Sequence, residues 1–138
     1  MSVTISLTGD VAACRALGRV VFIDEQGVSE ADEIDDLDEV CLHLLAVDGE
    51  APVGTARVHI VNGLAKIGRV CVLKSHRGTG LGAALIRKAL DVSRGKAAQA
   101  KLGAQVHALG FYETLGFVAT GPIYDDAGIP HRDMLRDL

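Results

Sequence analysis

The strongest chemical signal in the sequence is a glycine-rich segment, Arg77-Gly78-Thr79-Gly80-Leu81-Gly82. It follows a stretch that predicts a strand, Ala65–Leu73, and it leads into a helix predicted from about Gly80 to Ser93. The first backbone N–H groups of a helix have no partner within the helix, and the helix dipole favours negative charge there. Glycine lets an oxygen atom approach the backbone without a Cβ in the way. The segment therefore predicts an anion-binding turn.

Two familiar nucleotide-binding motifs compete for this segment. A P-loop requires G-x-x-x-x-G-K-[ST], and no Lys-Ser or Lys-Thr pair follows the glycines, so this motif is excluded. The dinucleotide-binding pattern G-x-G-x-x-G/A is formally met by Gly78, Gly80 and Ala83. That fold also needs an acidic residue about 20 positions further on to hold a ribose. None lies between Asp91 and Glu113.

A third pattern, R/Q-x-x-G-x-G/A, is met by Arg77, Gly80 and Gly82, and a second signature lies near the C-terminus, where residues 105–117 read QVHALGFYETLGF. In these two segments the sequence resembles the GNAT superfamily of N-acetyltransferases, whose second signature is Asn-x-x-Ala-x-x-Phe/Leu-Tyr followed by Gly-Phe. Gln105 departs from this pattern by replacing the usual Asn. Further segments resemble the ElaA/YjcF-like branch of the family: Val21–Gln26, the acids Glu33, Asp35 and Asp38, His43, and Gly128–His131.

The resemblance implies a single N-acetyltransferase domain over residues 1–138, with acetyl-CoA as co-substrate and no metal. The pantetheine arm would insert between splayed fourth and fifth strands and bond the edge of the fourth strand, as an added strand does. The residues implied in binding acetyl-CoA are Val70, Cys71 and Val72 on that edge, Arg77, Gly78, Thr79, Gly80, Leu81 and Gly82 around the diphosphate, and Gln105 in place of the family's Asn.

The resemblance also implies the catalytic groups of amide formation, which needs a neutral amine, a stabilised oxyanion and a proton for the departing thiolate. Tyr112 matches the tyrosine that faces the CoA sulfur in the family, and a phenol can protonate a thiolate if the site allows it. The oxyanion would be bound by a backbone N–H at Val72 or a neighbour. For the general base we favour Glu25. Asp35, Asp38, His43 and removal of the proton through water remain alternatives.

These groups must be positioned by a fold that the hydrophobic pattern also predicts. The order of elements reads β-α-β-β-β-α-β-α-β-β, with hairpin turns at Asp48-Gly49 and Asn62-Gly63. The last two strands are predicted at residues 117–120 and 131–138, around a loop over 121–130. We expect an α+β fold with a mixed, mostly antiparallel sheet of about six or seven strands, flanked by about three or four helices in three α/β/α layers.

Composition limits the remaining choices. The 138 residues carry a net charge of −4, and an odd number of unpatterned cysteines argues for reduced thiols, so we expect a cytoplasmic protein without disulfides. No apolar run approaches the roughly 18 residues of a membrane span, and we expect neither a signal peptide nor a membrane partner. The basic stretch lacks interleaved aromatic residues, so we expect no nucleic acid. Exposed edge strands would favour a homodimer.

Charge is unevenly distributed along the chain. Nine acids lie between Asp24 and Glu39, whereas ten basic residues and a single acid lie between Arg57 and Lys101. Such a chain could hold a polyanion in its second half and attract a cationic amine, on a small molecule or a peptide, with its first half. Two alternative functions stay open, namely a non-catalytic module that holds acyl-CoA and a nicotinamide-binding domain.

Overall fold

A computed structural model describes residues 3–28 and 37–138 of the chain. Seven strands form one mixed sheet: β1 (Val3–Thr8), β2 (Leu42–Asp48), β3 (Ala51–Val61), β4 (Leu64–Val72), β5 (Gln99–Gln105), β6 (Val118–Asp126) and β7 (Ile129–Asp137). The helices of the described residues are α1 (Val11–Gly18), which continues as π-helical turns over Arg19–Glu25, α2 (Leu81–Ser93) and α3 (Leu109–Glu113). Short 3-10 turns lie at Asp38–Val40, Lys74–His76 and Val106–Ala108.

Strands β2, β3 and β4 form an antiparallel meander joined by the two hairpin turns that the sequence predicts, and β1 pairs antiparallel with β2 at the edge of the sheet. Asn62 and Gly63 join β3 to β4 with φ of 51° and 75°, the pair of positive angles that a type I′ hairpin turn requires. Gly49, with φ of 63°, turns β2 into β3, and the centre of this turn lies at Gly49 and Glu50, one residue later than predicted.

Side-chain alternation along the strands creates two apolar layers. Leu44 of β2 is fully buried on the face that packs against Leu85, Ile86 and Leu90 of α2. Its neighbour Leu45 points the other way, into a smaller cluster with Cys14 and Leu17 of α1, Val21 of the π-helical turns and Cys71 of β4. The sheet is therefore covered by α1 on one face and by α2 on the other. The predicted three-layer α+β architecture is confirmed.

The C-terminal strands extend further than the sequence predicts. The loop predicted over residues 121–130 is wrong, because β6 and β7 form a hairpin that turns only at Ala127 and Gly128. Two extra residues in β6 between Thr120 and Tyr124 form a bulge, and Gly121 adopts a φ of 75° within it. The bulge accommodates the Gly-Pro pair that looks like a loop in the sequence, since β6 is an edge strand and tolerates proline.

Strands β4 and β5 are the only parallel neighbours in the sheet order β1-β2-β3-β4-β5-β7-β6. They pair only at their first three residues, from Leu64–Lys66 on β4 to Gln99–Lys101 on β5, and diverge beyond. A bulge in β4 marks the divergence, because two residues lie between Gly68 and Cys71 while only one lies between their partners on β3, Arg57 and Thr55. Arg69, within this bulge, has a φ of 51°. The splay implied by the resemblance is present.

Candidate active site

The divergence of β4 and β5 opens a cleft of about 510 Å³ between the two halves of the sheet. One wall is formed by the bulged end of β4, including Gly68, Arg69 and Val70, and the other by Gly103 and Gln105 of β5. The remaining described lining residues are Phe22, Gln26, Val28, Arg57, Ile67, Leu102, Ala108, Tyr112, Tyr124, Asp126, Ala127, Ile129 and His131. A larger cavity of about 750 Å³ lies elsewhere, between Arg87, Thr114, Leu115, Gly116 and strands β6 and β7, and its lining includes neither Tyr112 nor any residue of the glycine-rich turn.

The glycine-rich turn lies between the end of β4 and the start of α2. Gly78 and Gly80 adopt φ angles of 76° and 87°, a conformation that other residues rarely adopt. The first helical hydrogen bond runs from the N–H of Ala84 to the carbonyl of Gly80. Within the described part of the chain, the backbone N–H groups of residues 78–83 make no hydrogen bond. Six amides are therefore available to an anion at the positive end of α2.

Arg77 ties this turn to the neighbouring elements. Its Nε donates to the carbonyl of Val72 at 3.0 Å, and its Nη2 lies 2.6 Å from Oε2 of Glu25. The carboxylate of Glu25, predicted as general base, is thus held beside the anion-binding turn, and Glu25 is not among the residues that line the cleft. These contacts place Glu25 at the turn, while its role as a base stays a prediction.

The edge of β4 that faces the cleft provides backbone groups for a ligand. Val72 and Cys71 pair with Gly54 and Thr55 of β3 on one side, and β5 has already diverged on the other side. The thiol of Cys71 points away into the α1 layer, where burial raises its pKa to about 12. Only the backbone of Cys71 can therefore contribute to a ligand in the cleft, as the sequence analysis predicts for residues 70–72.

Tyr112 contributes the phenol of α3 to the cleft lining. Its ring packs edge to face against Phe111, with ring centres 5.0 Å apart, and against Phe117, at 6.1 Å. Burial among these rings raises the pKa of Tyr112, so the phenol is protonated at neutral pH. Its hydroxyl makes no hydrogen bond to any described residue, which leaves it available to a ligand.

Gln105 lies at the end of β5, also on the cleft. Its Nε2 is 3.3 Å from Oε1 of Gln26, and its Oε1 accepts a hydrogen bond from Nε2 of His107 at 2.7 Å. The side chain that replaces the family's Asn therefore links β5 to the segment after α1. Its predicted contact with the co-substrate remains a prediction.

Two further candidates for the base, Asp38 and His43, lie outside the cleft. Asp38 accepts hydrogen bonds from Nε of Arg15 at 2.8 Å and from Nη1 of Arg57 at 3.0 Å. Burial alone would raise the pKa of Asp38, but these two guanidinium groups outweigh it and lower the pKa below its ordinary value. His43 is buried and bonds the backbone carbonyl of Asp38 through Nε2. Asp35, the fourth candidate, lies outside the described residues.

The sequence did not predict a cluster of side chains that the structure brings together on β5, β6 and β7. Tyr124 donates from its hydroxyl to Oδ1 of Asp133 at 2.8 Å, and its ring stacks on His131 with ring centres 6.0 Å apart and planes 23° from parallel. A Cβ on Gly103 would lie 2.5 Å from the Tyr124 hydroxyl, so this position must be glycine to hold the tyrosine there. The Gly-Ile-Pro-His segment marked His131, but no sequence signal pointed to Tyr124.

Comparison with known proteins identifies the class to which this fold and cleft belong. Residues 20–138 match the family model described as an acetyltransferase (GNAT) domain. The chain therefore belongs to the GNAT family of acyl-CoA-dependent acetyltransferases.

Three relatives give the extent of the similarity. The uncharacterized N-acetyltransferase YjcF of Bacillus subtilis (strain 168) is 42% identical over 120 residues, which cover 85% of each chain. Protein ElaA of Escherichia coli (strain K12) is 32% identical over 124 residues, covering 86% of this chain and 81% of ElaA. The crystal structure of an acyl-CoA N-acyltransferase from Pseudomonas aeruginosa superposes with a TM-score of 0.86 and 30% identity over 99% of both chains. The resemblance to the ElaA/YjcF-like branch is confirmed.

No helix in residues 3–28 and 37–138 is long and apolar enough to cross a membrane. In the same ranges, no group of three or more His, Cys, Asp or Glu side chains is arranged to hold a metal ion.

Proposed function

We propose that this protein transfers the acetyl group of acetyl-CoA to a primary amine, by direct attack of the amine within a ternary complex. The observation that carries the proposal is the set of backbone amides at residues 78–83, which have no described partner and follow β4, the strand that forms one wall of the cleft. A diphosphate matches the amides, and an extended arm with amide groups matches the strand edge. Both chemistries occur together in CoA.

The chain's own groups would bind and orient acetyl-CoA in two places. The amides of the glycine-rich turn and the dipole of α2 would hold the diphosphate. The backbone edge at residues 70–72 would hold the pantetheine, which directs the thioester toward the floor of the cleft and Tyr112. A nicotinamide dinucleotide lacks the extended arm that such an edge accommodates, so this alternative is not favoured.

Acetyl-CoA supplies an acyl group activated as a thioester. The nitrogen lone pair of the neutral amine forms the C–N bond to the carbonyl carbon, and the C–S bond breaks with its electron pair on sulfur. The thiolate would take a proton from the phenol of Tyr112. The nitrogen would lose its extra proton to solvent to leave the amide, and the phenolate would recover a proton from solvent. Burial raises the pKa of Tyr112, which keeps the phenol protonated until the thiolate forms, and desolvation would raise the pKa of the departing thiol in the same direction. The thiol of Cys71 is buried and protonated, which argues against a covalent acetyl-enzyme.

Tyr112→Phe separates binding from chemistry. We expect this variant to bind acetyl-CoA as the wild type does, because the hydroxyl makes no hydrogen bond to any described residue and its removal leaves the two proposed binding segments unchanged. We expect its kcat to fall by about 10²-fold or more, because the thiolate loses its proton donor. Thiol release measured with a panel of amines gives the rate, and calorimetry gives the affinity.

The controls decide between the two remaining classes. If the wild type binds acetyl-CoA but releases no thiol with any amine, the non-catalytic acyl-CoA-binding module becomes the better account. If neither CoA nor acetyl-CoA binds, the proposal fails altogether.

A further inference from the structure

His131 faces the cleft from β7, and one hydrogen bond fixes its protonation pattern. Its Nδ1 lies 2.8 Å from the backbone carbonyl oxygen of Ile129. A carbonyl oxygen can only accept, so in the neutral ring the hydrogen must be on Nδ1 and the lone pair on Nε2. Nε2 has no hydrogen bond to any described residue. The neutral ring therefore leaves a proton-accepting nitrogen for a ligand in the cleft.

The orientation of this ring is fixed by a second set of contacts. Tyr124 stacks on the imidazole, and the hydrogen bond from its hydroxyl to Asp133 holds the tyrosine in place. Asp133 is itself 3.4 Å from Nζ of Lys101 on β5. Gly103 leaves the space that the Tyr124 hydroxyl occupies. Contacts among three strands thus hold the ring of His131 in the lining of the cleft.

The other described proton acceptors are less suited to a base. Glu25 is paired with Arg77 and does not line the cleft, and both carboxylate oxygens of Asp38 are occupied by arginines. Asp126 lines the cleft but is exposed beside the β6–β7 turn. The titratable or charged groups that share the cleft with His131 are Arg57 of β3, Arg69 of β4, Tyr112 of α3, and Tyr124 and Asp126 of β6.

We propose that Nε2 of His131 takes the proton that the acceptor ammonium must lose, with Tyr124 as the residue that positions the ring. The step converts the ammonium R–NH₃⁺ and the neutral imidazole into the amine R–NH₂ and imidazolium, and the imidazolium then returns its proton to water at the cleft mouth. No other bond changes in this step. The inference rests on the proposed function, since it assigns the base of that reaction.

The test compares pH profiles of kcat/KM for the amine at saturating acetyl-CoA. We expect wild-type activity to fall on the acid side, because a general base must be unprotonated to accept a proton. We expect His131→Asn to lower kcat/KM by about 10²-fold or more at neutral pH and to remove this acid limb. Its affinity for acetyl-CoA should stay within about threefold of wild type, because the base does not bind the donor.

His59→Asn is the matched control, because His59 lies on β3 and is not among the residues that line the cleft. It should keep both the rate and the acid limb. Tyr124→Phe, which keeps the stacking ring, should retain most of the activity that Tyr124→Ala loses, and this rescue separates positioning from general stability. If His131→Asn does not fold, as judged by its thermal transition, His131→Gln with added imidazole replaces it, and recovery of rate by imidazole is the expected result.

The outcomes separate this inference from the proposed function. A wild type that turns over amines, together with an active His131→Asn that keeps the acid limb, overturns the role of His131 and leaves the acetyltransferase proposal standing. Loss of the limb in Asp126→Asn, with His131→Asn unaffected, would assign the base to Asp126 instead. A wild type that is inert toward every amine overturns both proposals.

Discussion

Asp38→Asn tests how much the ion pairs of Asp38, one of them with the cleft residue Arg57, contribute to stability. Asp38 accepts from Arg15, whose side chain is 60% exposed, and from Arg57, which is 12% exposed and lines the cleft. The exposed pair should contribute no more than about 1 kcal/mol. A hydrogen bond between buried charged groups contributes about 1.5–3 kcal/mol. Asparagine keeps one acceptor oxygen, so we expect the free energy of unfolding to fall by about 2 kcal/mol.

The assay is urea unfolding between pH 7 and pH 3, with Arg15→Ala as the control for the exposed half of the pair. Because the folded-state pKa of Asp38 lies below its ordinary value of 3.8, its contribution to stability is present above that value and is lost as pH falls through the folded-state pKa. The gap between wild type and Asp38→Asn should therefore be constant from pH 7 to about pH 5 and shrink below about pH 4.

Two results would refute this reasoning. One is a change in unfolding free energy below about 0.5 kcal/mol for Asp38→Asn at neutral pH, which would mean that the two ion pairs add nothing to stability. The other is a larger loss in Arg15→Ala than in Asp38→Asn, which would place the stabilisation on the exposed arginine. A thermal scan gives an independent check, with an expected fall in Tm of roughly 6–10 °C.

Two further predictions concern the glycine-rich turn and the cysteine beside it. Gly82→Ala should weaken acetyl-CoA binding with little loss of stability, because its Cβ would meet only Phe111, at an ordinary 3.7 Å. Gly80→Ala, at a φ of 87°, should instead lower the free energy of unfolding by about 1–2 kcal/mol. Calorimetry measures the binding and thermal scans measure the stability, and equal losses in Tm for the two variants would contradict this prediction. Cys71→Ala should keep turnover within about threefold, because the buried thiol is protonated, and an acetyl adduct on Cys71 in intact-mass spectra would show otherwise.

The parts of the fold that the sequence predicts well are those with a local cause. Asn62-Gly63 indicates a hairpin because both residues tolerate positive φ, and Asp10 indicates a helix start because its side chain accepts from the N–H of Ala13, at 3.1 Å in the structure. The continuation of α1 as π-helical turns had no such signal, since the apolar run Val20–Ile23 has no clear period. The length of β6 was missed because Gly121 and Pro122 look like a loop until a partner strand is present.

The same distinction holds for the site. The glycine-rich turn and Tyr112 could be named from short motifs, because each works through its own backbone or ring. The contact of Glu25 with Arg77 joins residues 52 positions apart, and the Tyr124–His131 stack depends on the bulge-shifted register of β6 on β7. Neither pairing leaves a trace in local sequence, so both required the structure. Cytoplasmic location and homodimer formation remain predictions.

The brief contact between β4 and β5 has a mechanical consequence. A three-residue ladder joins a four-stranded half of the sheet to a three-stranded half, and the two halves diverge beyond it. A ligand that contacts both halves of the sheet would also stabilise the short ladder between β4 and β5. Ligand binding and the stability of the sheet are then thermodynamically linked. Protection of the β5 amides from solvent exchange should therefore increase when a ligand binds at the glycine-rich turn.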